Sequence, residues 1–134
     1  MRYAIFIILI LLLVIDLPVI TKINNKMYKK QFDRINKSNN SNSSKYIAGI
    51  ICYILLALAI YVFIVLPEND KSKSSIEIIK KGMLLGLIIY GVYNSTNKAT
   101  INEFGTFEAI VDTIWGSFLI GFISLISVLI VRKY

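Results

Sequence analysis

The sequence predicts an all-α, polytopic membrane protein: an up-and-down bundle of four transmembrane helices in a single integral domain, residues 1–134. Three observations predict it. Hydrophobic residues make up 56% of the chain and the mean hydropathy is +0.67, too apolar for an ordinary soluble domain of this size. The apolar residues are gathered into four long blocks. Lys and Arg lie almost entirely between the blocks, where they would decorate the membrane surfaces.

The first block is 3–20, 18 residues interrupted by Asp16 and Pro18. The second is 46–66, 21 residues closed by Pro67. The third is 78–96, 19 residues with Lys80 and Lys81 near its start. The fourth is 107–131. A helix rising 1.5 Å per residue needs about 20 residues to cross a core of ~30 Å. The second and fourth blocks meet this outright. The first and third meet it if their ends reach the headgroups and Lys80 and Lys81 snorkel. Backbone groups in hydrocarbon must pair internally, so the blocks read as helices. Arg2 ahead of an apolar run resembles a signal peptide. However, no small-x-small pattern follows, so the block reads as a retained helix.

Residues 21–45 form the main polar region. Ile20, Ile23, Met27, Gln31 and Ile35 recur at three- and four-residue steps, with Lys22, Lys26, Lys29, Lys30 and Arg34 between them. This predicts an amphipathic continuation of the first helix at the interface. Its cations would face anionic lipid headgroups, each attracted by about 1 kcal/mol close to the surface. Residues 36–44 read as a linker of Asn, Ser and Lys. The net charge is +7. With four spans, Lys and Arg divide eight against seven between the two faces, with the amino terminus on the side of the seven. The positive-inside rule does not orient the chain at that margin.

Composition excludes much chemistry. There is no His and a single Cys, Cys52. Zinc sites, catalytic imidazoles, CxxC redox pairs and disulfides are therefore not expected, and no metal or cofactor is. Cys52 reads as a small core residue. Nucleic-acid binding is not expected, because no soluble domain carries a reading element. The expected partners are the bilayer, a second copy of the chain or another membrane protein.

The acids inside the blocks point to a site. A carboxylate at the centre of a bilayer costs roughly 2.5–3.5 kcal/mol on insertion scales, so it is normally paired, protonated or used. Asp16 lies four residues before the end of the first span and Asn94 near the end of the third. Asp112 lies five residues into the fourth, which runs back. All three therefore sit roughly 6–8 Å below the same face, the face of the basic loop. On the fourth helix Asp112, Thr113, Gly116, Ser117, Gly121, Ser124 and Ser127 share one half of the wheel. Val111, Ile114, Trp115, Phe118, Phe122, Leu125, Ile126 and Leu129 fall on the other. Small and hydroxyl residues let membrane helices approach and hydrogen-bond, so the first half should face protein and the second lipid. Trp115, at the edge of the lipid half, would sit in the aromatic belt. On the third helix a seam runs from Gly82 and Gly86 to Tyr90, Tyr93, Asn94 and Asn97. The expectation is one polar cluster. Asp16 and Asp112 would face Asn94, Asn97, Tyr90 and Tyr93, and the two carboxylates would be close enough to share a proton.

These residues carry a resemblance. The strings Asp16-Leu17, Thr96-Asn97, Ala99-Thr100 and Asp112-Thr113-Ile114-Trp115-Gly116 resemble the pattern of the DUF2177 family of four-helix membrane proteins over nearly the whole chain. Two positions depart: Asn94 stands where that family usually has Asp, and Val19 where an aromatic often follows the first Asp. The resemblance implies an integral membrane protein and brings no activity with it.

Three readings of the intramembrane acids stay open. The preferred one is structural or accessory: Asp16, Asn94, Asn97 and Asp112 form a polar clasp that fixes how the helices pack. The second is coupled transport of protons or a small solute along these acids. The third, least favoured, is an interfacial lipid-modifying enzyme with Asp112 as general base and Lys29, Lys30 or Arg34 holding a phosphate. The chain is not expected to be an enzyme.

Overall fold

A computed structural model describes residues 3–19, 27, 29, 30, 33, 43–67 and 73–134. Among these, four long helices follow one another: α1 (Ala4–Pro18), α2 (Ser43–Ile60), α3 (Ser75–Thr100) and α4 (Thr106–Lys133). No strand occurs among the described residues. The chain is rich in Ile, a residue that fits strands well. Helix prevails because it pairs every backbone group within one segment.

Each helix end has a local cause. Pro18, which has no N–H to continue the ladder, is the last residue of α1. Beyond Ile60, α2 widens into a π-helical segment, Tyr61–Val65, with the Leu66 N–H reaching the Tyr61 carbonyl at 2.9 Å. The segment stops at Pro67 and buries Ile64 and Val65. α3 opens with a capping box. The Ser74 N–H donates to Glu77 Oε2 at 3.0 Å, and the Glu77 N–H donates to Ser74 Oγ at 3.4 Å. The 101–105 connection is held by Lys98, whose ammonium donates to the Phe104 carbonyl at 2.8 Å, and Phe104 is buried.

The short connection makes α3 and α4 an antiparallel hairpin. Their seam is built from small residues. A Cβ on Gly82 would meet Ser124 Oγ at 2.6 Å and Gly121 Cα at 2.8 Å. One on Gly86 would meet the Gly116 carbonyl oxygen at 2.5 Å and Ser117 Cα at 2.9 Å. Such backbone approach is what glycine permits and any larger residue forbids. Ser117 adds a hydrogen bond across the seam, donating to the Met83 carbonyl at 2.8 Å.

α4 is the centre of the bundle. Half of its apolar stretch is buried, against 22% for α2 with its π segment. Gly116, Ser117, Gly121, Ser124 and Ser127 face inward, and Ile114, Phe118, Phe122 and Leu129 face outward. This is the sidedness expected from the wheel, except that Val111, Trp115, Leu125 and Ile126 are half-buried. α1 packs against both α2 and α4 and buries Ala4, Ile8, Leu12 and Asp16, one residue every four. α2 lies against α1 and joins α4 mainly through the π segment. Its peripheral position corrects the expectation for Cys52, which is exposed rather than buried in the core.

Two helices, Ser43–Val65 and Thr106–Lys133, are long and apolar enough to cross a membrane. α1 is apolar but shorter, 15 residues or about 22 Å at the helical rise. α3 is 26 residues long and carries Glu77, Lys80 and Lys81 in its first two turns.

Candidate functional site

The expected single cluster is two separate hydrogen-bonded groups. The first is built on Asp16. Its place on the inner stripe of α1 leaves the side chain 3% exposed. Oδ2 accepts from the Tyr53 hydroxyl of α2 at 2.7 Å, and Oδ1 accepts from the indole N–H of Trp115 on α4 at 2.9 Å. One carboxylate thereby links three helices. Each oxygen has a donor at charge-assisted hydrogen-bond distance.

The second group joins α3 to α4. The Asn94 side chain, also 3% exposed, donates to Asp112 Oδ2 at 2.8 Å and to Thr113 Oγ1 at 3.2 Å. Asn94 also caps its own helix backbone, donating to the Tyr90 carbonyl at 2.9 Å. The Thr113 hydroxyl passes its proton back to the Ala109 carbonyl at 2.8 Å, so its oxygen is free to accept from Asn94. Tyr90 stands beside the second group, its carbonyl accepting from Asn94. Its ring covers Gly116, leaving no room there for a Cβ.

Several expected members sit elsewhere. Trp115 turns toward its neighbours: its ring is half-buried and its N–H donates to Asp16 of α1. Asn97 is half-buried, one turn beyond the Asn94 that meets Asp112. Tyr93 is 54% exposed. Of the basic set, Lys29 and Lys30 are exposed, and both are helical, as are Met27 and Asp33. Lys22, Lys26 and Arg34 lie outside the described residues. Further along α4, the Ser124 and Ser127 hydroxyls are fully buried with no hydrogen-bond partner among the described residues.

Tyr53 was absent from the expected site. The signal was available. Tyr53 is seven residues into the second block, roughly 10 Å below the basic-loop face and so near the level of Asp16. A phenol at that depth in a neighbouring helix is a donor for a buried acid.

Among the described residues the chain is a helical bundle with apolar outer faces, two helices long and apolar enough to cross a bilayer, and Asp16 turned inward. The chain belongs to the DUF2177 family of predicted membrane proteins, whose family model matches residues 1–129. No curated protein and no solved structure matches it.

Proposed function

We propose that this is a multi-pass integral membrane protein in which all four helices cross the bilayer, and that its polar groups are clasps fixing the packing of the bundle. Its role on this reading is structural or accessory in the membrane. The observation that carries it is the pairing of Asp16: both carboxylate oxygens are taken by donors from two other helices. A buried acid used up in this way holds helices together. Interhelical hydrogen bonds in membranes contribute only about 0.6–2 kcal/mol each. A wrong packing, however, would leave the carboxylate facing lipid, so the clasps specify structure more than their energies suggest.

The multi-pass reading is tested by cysteine accessibility in sealed vesicles, on a Cys52→Ala background. Cysteines at Asn40 and Asn102 should react with an impermeant maleimide from one side, and one at Asp70 from the other. Labelling of Asp70→Cys and Asn102→Cys from the same side would refute it. The clasp reading is tested by stability in detergent. Asp16→Leu should lower it while Phe118→Leu, on the exposed face of α4, leaves it unchanged.

Coupled transport keeps one supporting observation, the hydroxyls of Ser124 and Ser127 that have no partner among the described residues and lie along α4 on the far side of Ser117 from Asp112. A proton- or ion-gradient-driven flux in proteoliposomes, abolished by Asp112→Asn, would favour it. No flux across a broad solute panel would leave the clasp reading alone.

A further inference from the structure

α2 and α3 do not pack along their length. They meet near the π segment and separate toward the basic-loop face. Between them lies a groove of about 470 Å³, lined by Ala48, Cys52, Leu55 and Ala59 of α2 and by Ile89 of α3. Its α2 wall is exposed over most of its length. We propose that this groove holds one acyl chain of an anionic phospholipid, with the lipid phosphate at Lys45. The proposal rests on the multi-pass reading, which puts the groove in the hydrocarbon layer.

The groove is apolar along its length and polar only at one end. Lys45, Ala48, Cys52 and Ala59 fall in one sector of α2 at 100° per residue, so the lining stripe ends on an exposed ammonium in the first turn. On α3, Ile89 is followed in the same sector by Tyr93 and Thr96, both exposed. Cys52 of α2 and Ile89 of α3 line the same groove, so the two walls face each other at this level. Apolar length below, hydroxyls above and a cation at the rim match an acyl chain, a glycerol-ester region and a phosphate in that order. Asp112 accepts from Asn94 across the α3–α4 seam.

The experiment uses full-length protein purified in mild detergent, after confirming that it resists carbonate extraction from membranes. A protein released by carbonate would overturn the multi-pass reading together with this one. For a retained protein, phosphatidylglycerol should raise the Tm more than equimolar phosphatidylcholine. Lys45→Gln should remove most of that difference, and Ala59→Trp, which fills the groove, should remove the response to both lipids. Equal responses in wild type and Ala59→Trp would overturn the groove site while leaving the multi-pass reading standing. Conversion of a dimer to a monomer by Ala59→Trp, with no lipid preference, would assign the groove to a second copy instead. Should Ala59→Trp fail to fold, the wild-type thiol gives the answer. Phosphatidylglycerol should slow alkylation of Cys52 by N-ethylmaleimide several-fold more than phosphatidylcholine, and equal rates would overturn the proposal.

Discussion

Trp115→Phe is the sharpest test of the Asp16 clasp. The substitution keeps an aromatic ring against the core and removes one hydrogen bond, the 2.9 Å contact to Asp16 Oδ1. In a membrane protein that bond contributes about 0.6–1.7 kcal/mol. Tyr53→Phe removes the 2.7 Å bond to the other oxygen and should cost a similar amount. The double variant should cost more than the sum. With one donor left, the carboxylate still has a partner. With both gone, an acid only 3% exposed loses the two donors that satisfy it, which adds about 1–3 kcal/mol. The expected coupling between the two sites is therefore about 1–3 kcal/mol, well above the few tenths that separate independent sites. The assay is thermal unfolding in detergent followed by far-UV circular dichroism, since the variant has no tryptophan to watch. By the scaling of soluble domains, 1 kcal/mol in a chain of this length moves Tm by roughly 3–5 °C. A Trp115→Phe protein within about 1 °C of wild type, or strict additivity in the double variant, would refute the reasoning.

Other expectations follow from the same geometry. Gly86→Ala places a Cβ 2.5 Å from the Gly116 carbonyl oxygen and 2.9 Å from Ser117 Cα, backbone that cannot swing away. It should lower stability by about 1–3 kcal/mol in the same unfolding assay. Gly49→Ala, with nothing within 4 Å, should be neutral or slightly stabilising. Asn94→Leu removes the 2.8 Å donor to Asp112 and should cost about 1–3 kcal/mol; an unchanged Tm would show that the α3–α4 clasp contributes nothing. Ser74→Ala breaks the capping box of α3 and should cost about 1 kcal/mol, read as reduced amide protection in residues 75–78 by hydrogen exchange.

The helices were legible because long apolar blocks leave the backbone few alternatives. The inward half of α4 was legible too, since Gly116, Ser117, Gly121, Ser124 and Ser127 differ chemically from the Ile and Phe beside them. α1 offered no such contrast. Its inner stripe of Ala4, Ile8 and Leu12 is as apolar as its outer face of Phe6, Ile10 and Val14. Its rotation about its own axis therefore cannot be read from composition, and Asp16 alone marks the inside. Depth placed Asp16, Asn94 and Asp112 at one level, but depth says nothing of which neighbour each one meets. That depends on the order of helices around α4, which puts Tyr53 and Trp115 beside Asp16 and reserves Asn94 for Asp112. The π segment was hidden for a similar reason. Pro67 marked where α2 had to stop, but the burial of Ile64 and Val65 depends on how the last turn meets α4.

The link from Trp115 to Asp16 also gives the protein an internal optical gauge. Trp115 is the sole tryptophan, so all of the indole emission comes from the place where α1, α2 and α4 meet. A detergent, a lipid mixture or a substitution that prises α1 away from α4 would change the surroundings of that one chromophore. The state of the three-helix junction can then be followed in real time, in a native bilayer and without a label.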